Sequence, residues 1–252
     1  MVSKHELNNL INSANQIQSA RLLAASSSHT GAWLQALPIP ELGLHVDDEV
    51  IRTSVALRLG AKVCEPHICR CGAQVDTLGL HGLACLKSAG RWPRHSNLND
   101  IIKRGLEQAG VPAALEPPGL CETDARRPDG VTLYPFSNGL SLTWDATCAD
   151  TFCQTNIGET AHSPGAAATE AEKRKRNHYS DLASRYRFEP VSVETTGVFG
   201  QSTDKFLAEL GKRITARTGE KRETEWLRQR ISVAIIRSNT ASIKATGYTY
   251  SS

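Results

Sequence analysis

One short stretch constrains the fold of this chain more than any other. Ser137-Asn138-Gly139 separates an apolar run, Val131 to Tyr134, from a segment in which Leu140, Leu142, Trp144 and Ala146 alternate with Ser141, Thr143, Asp145 and Thr147. Asn-Gly between two such runs is the signature of a β-hairpin, because both turn residues must take positive φ. A period of two places successive side chains on opposite faces of a sheet. Asp145 and Thr147 therefore share one face, and Trp144 and Ala146 take the other. Asp129, in Arg127-Pro128-Asp129-Gly130, stands at the start of the first strand, where Pro128 forces an extended entry. Two carboxylates thus lie on neighbouring strands. At close range such a pair repels and invites a cation.

The rest of the chain supplies helices around this hairpin. Residues 4–25 read as a weakly amphipathic helix. Gly31 to Pro40 holds a short helix stopped by proline, and Asp47 to Leu59 another, closed by Gly60. Asn97 to Gly110 repeats Leu98, Ile101, Ile102 and Leu106, with Asn97 as the N-cap. Ala113 to Glu116 reads as an edge strand and Pro190 to Thr195 as a further strand. Long helices are expected over about 166–186, 204–218 and 223–240. The fold class is α/β (α+β), with a small mixed sheet flanked by helices. Trp144 and Trp226 are expected in the core. The expected organisation is a helical segment over 1–62, a cysteine–histidine module over 63–96 and a sheet-containing domain over 97–245.

The middle segment is different in kind. Cys69-Arg70-Cys71-Gly72 is followed by His81-Gly82-Leu83-Ala84-Cys85 in a glycine-rich stretch with little core of its own. Three thiols and an imidazole are the ligand mixture of a tetrahedral structural Zn²⁺. Four protein ligands leave no open position, so a structural role is expected. Cys69, Cys71, His81 and Cys85 are the primary set. Cys64, His67 and His95 stand in reserve, His95 being the first substitute. The chain holds seven cysteines; with no apolar leader at the N-terminus, reduced thiols or metal ligands are favoured over disulfides. Cys121, Cys148 and Cys153 read as free thiols.

A lysine would complete a phosphodiester-cleaving site, by stabilising developing negative charge. Thr147, two residues past Asp145, cannot supply it. On the helix over 166–186, Ala168, Ala171, Lys175, His178, Tyr179, Leu182 and Tyr186 form one stripe. Lys175 is the cation on that otherwise small or apolar stripe. It either meets the carboxylates or snorkels outward beside Arg174. Glu194 and Glu116 either join a metal shell or are solvated or arginine-paired. Arg127 could meet phosphate, pair with Asp124, or lie free on the surface. Lys87, Arg91, Arg94, Lys103 and Arg104 could likewise face phosphates. The net charge, 29 basic against 26 acidic residues, is +3, which permits nucleic-acid binding without arguing for it. No apolar run approaches the ~18 residues of a membrane span, so an intracellular protein, nuclear or cytoplasmic, is expected.

The order of these features resembles that of a known family: a Cys–Cys–His–Cys module, then Arg127-Pro128-Asp129, then Asp145, then Lys175 to Tyr179 in the position of a Lys-x-x-Lys-Tyr motif. It is similar to the restriction-like endonuclease region at the C-terminus of non-LTR (LINE-type) retrotransposon proteins. Arg94-His95 with Asn99-Asp100, Glu116-Pro117 to Leu120, and Val193-Glu194-Thr195 to Gly197 look like that group too. The resemblance covers about residues 30–240. It implies a restriction-endonuclease-like PD-(D/E)xK core behind a zinc knuckle, and an enzyme that nicks target DNA for target-primed reverse transcription. It implies Mg²⁺ on Asp129 and Asp145, Lys175 as the catalytic lysine, and Tyr179 retained. DNA, possibly RNA, is the implied partner, with Arg91, Arg94 and Arg127 as candidate contacts. His178 stands where the motif has its second lysine, and 252 residues hold no reverse transcriptase. A truncated element or a standalone fragment is therefore expected, and the alternative function is a zinc-stabilised nucleic-acid-binding module with an inactive nuclease core.

Overall fold

The computed structural model of the protein describes residues 4–88, 90–121 and 126–247; the side chains of Lys4 and Arg91 are not among those described. Helices α1 (Lys4–Ser13), α2 (Gln16–Ser26) and α3 (Asp48–Leu59) open the chain, with short 3-10 turns at Ala32–Gln35 and Pro40–Leu42. Two short strands, β1 (His67–Ile68) and β2 (Gln74–Val75), form a hairpin before the one-turn helix α4 (His81–Ala84). Helix α5 (Arg91–Gln108) leads into β3 (Ala113–Leu115), β4 (Gly130–Ser137) and β5 (Leu140–Ala149). Short α6 (Ile157–Thr160) and then α7 (Ala166–His178) carry the chain to β6 (Arg187–Glu194). α8 (Gln201–Thr218) and α9 (Glu223–Lys244) close it.

The second sheet has four strands in the order β3-β4-β5-β6. β3, β4 and β5 are antiparallel neighbours, and β6 joins β5 in parallel after the helical crossover. The class is thus mixed α/β with a small mixed sheet. The hairpin turn has φ of +50° at Asn138 and +75° at Gly139, the pair of positive values that Asn-Gly provides.

The phase of β5 places its residues as the alternation requires. Leu142, Trp144 and Ala146 enter the main core with Leu98, Ile102 and Leu106 of α5, Phe206, Leu207 and Leu210 of α8, and Leu227 and Ile231 of α9. Each such fully buried side chain stabilises the fold by about 1.5–3 kcal/mol. On the opposite face lie Thr143 and Asp145, covered by α7. The facing residues of α7 are Ala167, Ala168 and Ala171, all buried; their small size lets the helix approach the sheet closely.

Gly130 is set by the same packing. A Cβ there would lie 2.1 Å from Cζ2 of Trp144, its cross-strand partner. Gly130→Ala is therefore expected to destabilise the protein by about 2–3 kcal/mol through overpacking, measured as a lower midpoint in urea. An unchanged midpoint would show that Trp144 can move aside.

Four details depart from the expectations of the sequence. α5 begins at Arg91, so Asn97 lies inside the helix instead of capping it, and the 96/97 boundary falls mid-helix. The helix over 166–186 stops at His178 and continues as a 3-10 segment, Ser180–Ser184, before β6 starts at Arg187. Trp226 is only half-buried, beneath the Arg222 guanidinium. Finally, the three segments are not separate bodies: α3, α4, α5, α8 and the Ala32–Gln35 turn all pack on α9.

Candidate metal centre and carboxylate–lysine site

The β1–β2 hairpin turns through Gly72 at φ +93°, closed by the Gly72 N–H donating to the Cys69 carbonyl at 2.8 Å. Cys69 and Cys71 sit on this turn. His81 opens α4, and Cys85 follows it, its N–H donating to the His81 carbonyl at 3.0 Å. The four side-chain ligand atoms lie within 4.8 Å of one another. Cys69 Sγ stands 3.8 Å from Cys85 Sγ, and Cys71 Sγ 3.2 Å from His81 Nε2. With Zn–S near ~2.3 Å and Zn–N near ~2.0 Å, ligands on a tetrahedral ion stand roughly 3.5–3.8 Å apart. The cluster could hold a metal ion; three thiols and an imidazole are a zinc donor set, and the Cys69–Cys85 separation matches that spacing. The Cys71 thiol is drawn down to about 7, chiefly by the Ala73 backbone with help from Cys69, Cys85 and His81. Burial pushes Cys85 up. The seven cysteines are free of disulfides, as expected.

The reserve ligands are engaged elsewhere. Cys64 Sγ lies 3.3 Å from the Asp76 carbonyl. His67 spans the Glu65 carbonyl and the Thr246 hydroxyl, each at 2.8 Å. His95 points away from the cluster altogether: its Nε2 lies 2.9 Å from Asp129 Oδ2.

This last contact belongs to a second constellation. Asp129 precedes β4, and its backbone N–H donates to the Trp144 carbonyl at 2.9 Å. Its Oδ2 accepts from the Ala146 N–H at 2.6 Å, so the carboxylate leans onto the strand that carries Asp145. Asp145 is 4% exposed. Its Oδ1 lies 2.5 Å from Lys175 Nζ as an ion pair. The lysine is thus directed at the sheet, not outward beside Arg174. Tyr179 is buried and donates to the Arg127 carbonyl at 3.0 Å. Asp129, Asp145, Lys175 and Tyr179 are therefore brought together. His178 is exposed, its ring edge-on to Tyr179, so the departure from the Lys-x-x-Lys-Tyr motif falls outside the carboxylate pair.

The charges respond to this crowding. Burial, then the charge of Asp129, raises Asp145 above the usual carboxylate range, with Lys175 opposing. Burial and the charge of Asp145 push Tyr179 up, holding it un-ionised as a donor. The hydrogen bond to Asp129 raises His95 against the effect of burial. His95 is also tied to the core: its Nδ1 lies 3.4 Å from Asn99 Nδ2, and Asn99 Oδ1 accepts from the Trp144 indole N–H at 3.1 Å.

A pH dependence follows. Because the folded pKa of His95 exceeds its unfolded value near ~6.5, the pair with Asp129 stabilises fully below that value. The contribution fades as pH rises through the folded pKa. The stability difference between wild type and His95→Gln is expected to shrink from about pH 5.5 to about pH 8.5, read from urea unfolding. A difference independent of pH would dismiss the pairing.

Other candidates take different places. Arg94 is 4% exposed, with Nη2 donating to the Ser242 hydroxyl at 3.0 Å; it braces α5 on α9 and offers no phosphate-facing surface. Arg127 pairs with Glu116 at 2.6 Å, both half-exposed. Glu116 is therefore arginine-paired, while Asp124 lies outside the described residues, as does the side chain of Arg91. Lys103 and Arg104 pair with Glu107 and Asp100. Glu194 is fully buried, accepting from the Thr151 hydroxyl and the Ala167 N–H, each at 3.0 Å, so it is neither solvated nor in the carboxylate pair.

The chain matches no protein-family model and no curated protein. No helix among the described residues is long and apolar enough to cross a membrane.

Proposed function

We propose that this protein is a metal-dependent DNA endonuclease of retrotransposon origin, nicking target DNA from a restriction-endonuclease-like core. The observation that carries the reading is the Asp129/Asp145 pair with Lys175 against Asp145 on adjoining strands. A lysine is drawn to a sheet face only where buried carboxylates meet it, and this trio is what phosphodiester cleavage requires. The mixed sheet between helices, and the cysteine–histidine cluster ahead of it, further support the resemblance.

The residues fit Mg²⁺ by donor chemistry: hard carboxylate oxygens on Asp129 and Asp145, close enough that the charge of one raises the other. Asp129 and Asp145 would hold the ion, which when bound supplies charge stabilisation at phosphate and a more acidic water. The chain's own groups do the rest. Lys175 favours the ionised form of Asp145 against burial and the charge of Asp129, and places an ammonium at the edge of the site. Asn99 and Trp144 fix the ring of His95, which steadies Asp129. Tyr179 ties the Arg127 carbonyl, and with it the strand entry, to the end of α7.

A second reading rests on one observation: both carboxylates already carry a cationic or protonatable partner, Lys175 and His95. Such a compensated pair suits an inactive core in a zinc-stabilised module that binds DNA or RNA. The separating test is conversion of supercoiled plasmid to open circle with Mg²⁺, comparing wild type with Asp129→Ala and Lys175→Ala. Nicking that both variants abolish supports the enzyme; equal background in all three overturns it.

A further inference from the structure

Far from the carboxylate pair, two arginines clasp α2 and α3. Arg21 Nε, on α2, donates to the Leu57 carbonyl of α3 at 2.9 Å. Arg58 Nη2, on α3, donates to the Ala25 carbonyl of α2 at 2.7 Å. Each guanidinium thus sits at the C-terminal end of the other's helix, where carbonyls offer partial negative charge. Both arginines line a cavity of about 50 Å³, together with Phe152, Thr196 and Asn239. Arg21 is 7% exposed. Its guanidinium stacks on the Phe152 ring at 5.5 Å and passes so close to Gly60 that a Cβ there would meet Nη1 at 2.5 Å. Glycine at 60 therefore both closes α3 at φ +72° and leaves room for the charge.

The charge is not balanced locally. Among the described residues neither guanidinium has a carboxylate partner; Arg58 Nη1 donates to the Thr30 carbonyl and hydroxyl at 3.5 and 3.4 Å, whereas the terminal nitrogens of the buried Arg21 have no protein acceptor. For both, burial is what lowers the pKa, with no acid acting against it. Buried cations of this kind are normally paired. A space measured this way holds a water per ~10–15 Å³, so the cavity of about 50 Å³ accommodates about three to five waters, room for one tetrahedral oxyanion. Guanidinium forks are the usual recognition element for phosphate.

We propose that this cavity is a binding site for a small oxyanion of the phosphate class, held between Arg21 and Arg58. It is independent of the nuclease reading, because no residue is shared with the carboxylate site.

The test is equilibrium dialysis of the full chain against labelled inorganic phosphate at fixed ionic strength, with circular dichroism to confirm folding. Saturable binding is expected in wild type and in Lys175→Met, which removes the cation of the other site. Arg21→Met and Arg58→Met should each weaken it at least about tenfold, the scale of one lost charge-assisted hydrogen bond. Should either fail to fold, Arg58→Lys keeps the charge but not the fork and should still weaken binding several-fold. Competition by a 5′-phosphorylated but not a 5′-hydroxyl dinucleotide would assign the anion to a nucleic-acid end. Competition by neither, with phosphate still bound, would assign it to free phosphate; both support the site. Absence of saturable binding, equal binding in the arginine variants, or its loss in Lys175→Met overturns the proposal.

Discussion

Cys85→Ser is expected to release bound metal and unfold the segment from Cys64 to Gly90. The segment's own buried cluster is Cys64, Cys69, Val75 and Cys85, and Leu83 adds a contact with Val63 and Ile243. Structural zinc contributes about 10–16 kcal/mol in isolated finger peptides at neutral pH, far more than these few apolar contacts can supply. Its loss should cost most of the local stability and propagate into α9, since Gly82 and Gly90 pack directly on Ile243 and Ser242. Elemental analysis should find about one zinc per wild-type chain, as four protein ligands require, and much less in the variant. The apparent Tm should fall on chelation. A wild-type protein free of zinc, with an unfolding transition indifferent to chelator, would remove the metal from the account.

The other large effect concerns catalysis. Asp145→Asn keeps the shape of the side chain and removes its charge, leaving the half-buried Lys175 without its partner. Nicking should fall by at least about 10²–10³-fold, the range seen when one electrostatic group is taken from a preorganised site. The fold should suffer less than the activity, because burial and Asp129 already oppose ionisation of Asp145. The initial rate of supercoiled plasmid conversion, set beside the urea midpoint, separates the two effects. A variant as active as wild type would exclude Asp145 from the chemistry; a variant that has lost rate only in proportion to its folded fraction would reduce it to a structural acid.

The hairpin, its turn and the two faces of β5 were legible in the sequence because a period of two leaves little freedom once Asn138-Gly139 fixes the register. The stripe on α7 singled out Lys175 by the same kind of argument. His95 was not recognised as a neighbour of Asp129. Residues 91–96 lack apolar periodicity, so the helix seemed to begin at Asn97, and the imidazole was counted with the cysteines. Had the helix been extended backwards, His95 and Asn99 would have fallen on one face at a spacing of four, a readable signal. Glu194 was misjudged for another reason. An alternating strand was assumed to have a wet face, yet β6 is parallel to β5 and covered by both α7 and α8, so nearly all of it is buried. The reserve role of His67 failed because its partner, Thr246, is remote in sequence.

The central position of α9 has a consequence for synthesis. The cysteine–histidine loop is local in sequence and can form soon after it leaves the ribosome. Its docking surface, however, is made of residues such as Ser242 and Ile243, which emerge more than 150 positions later. The same helix completes the core beneath Trp144 and supports α3. The nascent chain must therefore wait, with an exposed sheet face and an undocked cysteine–histidine loop, until α9 is released. Long-range closure of this sort is slow and leaves apolar surface open meanwhile. A truncation ahead of α9 would therefore act on the cysteine–histidine loop and α3 as strongly as on the core beneath Trp144.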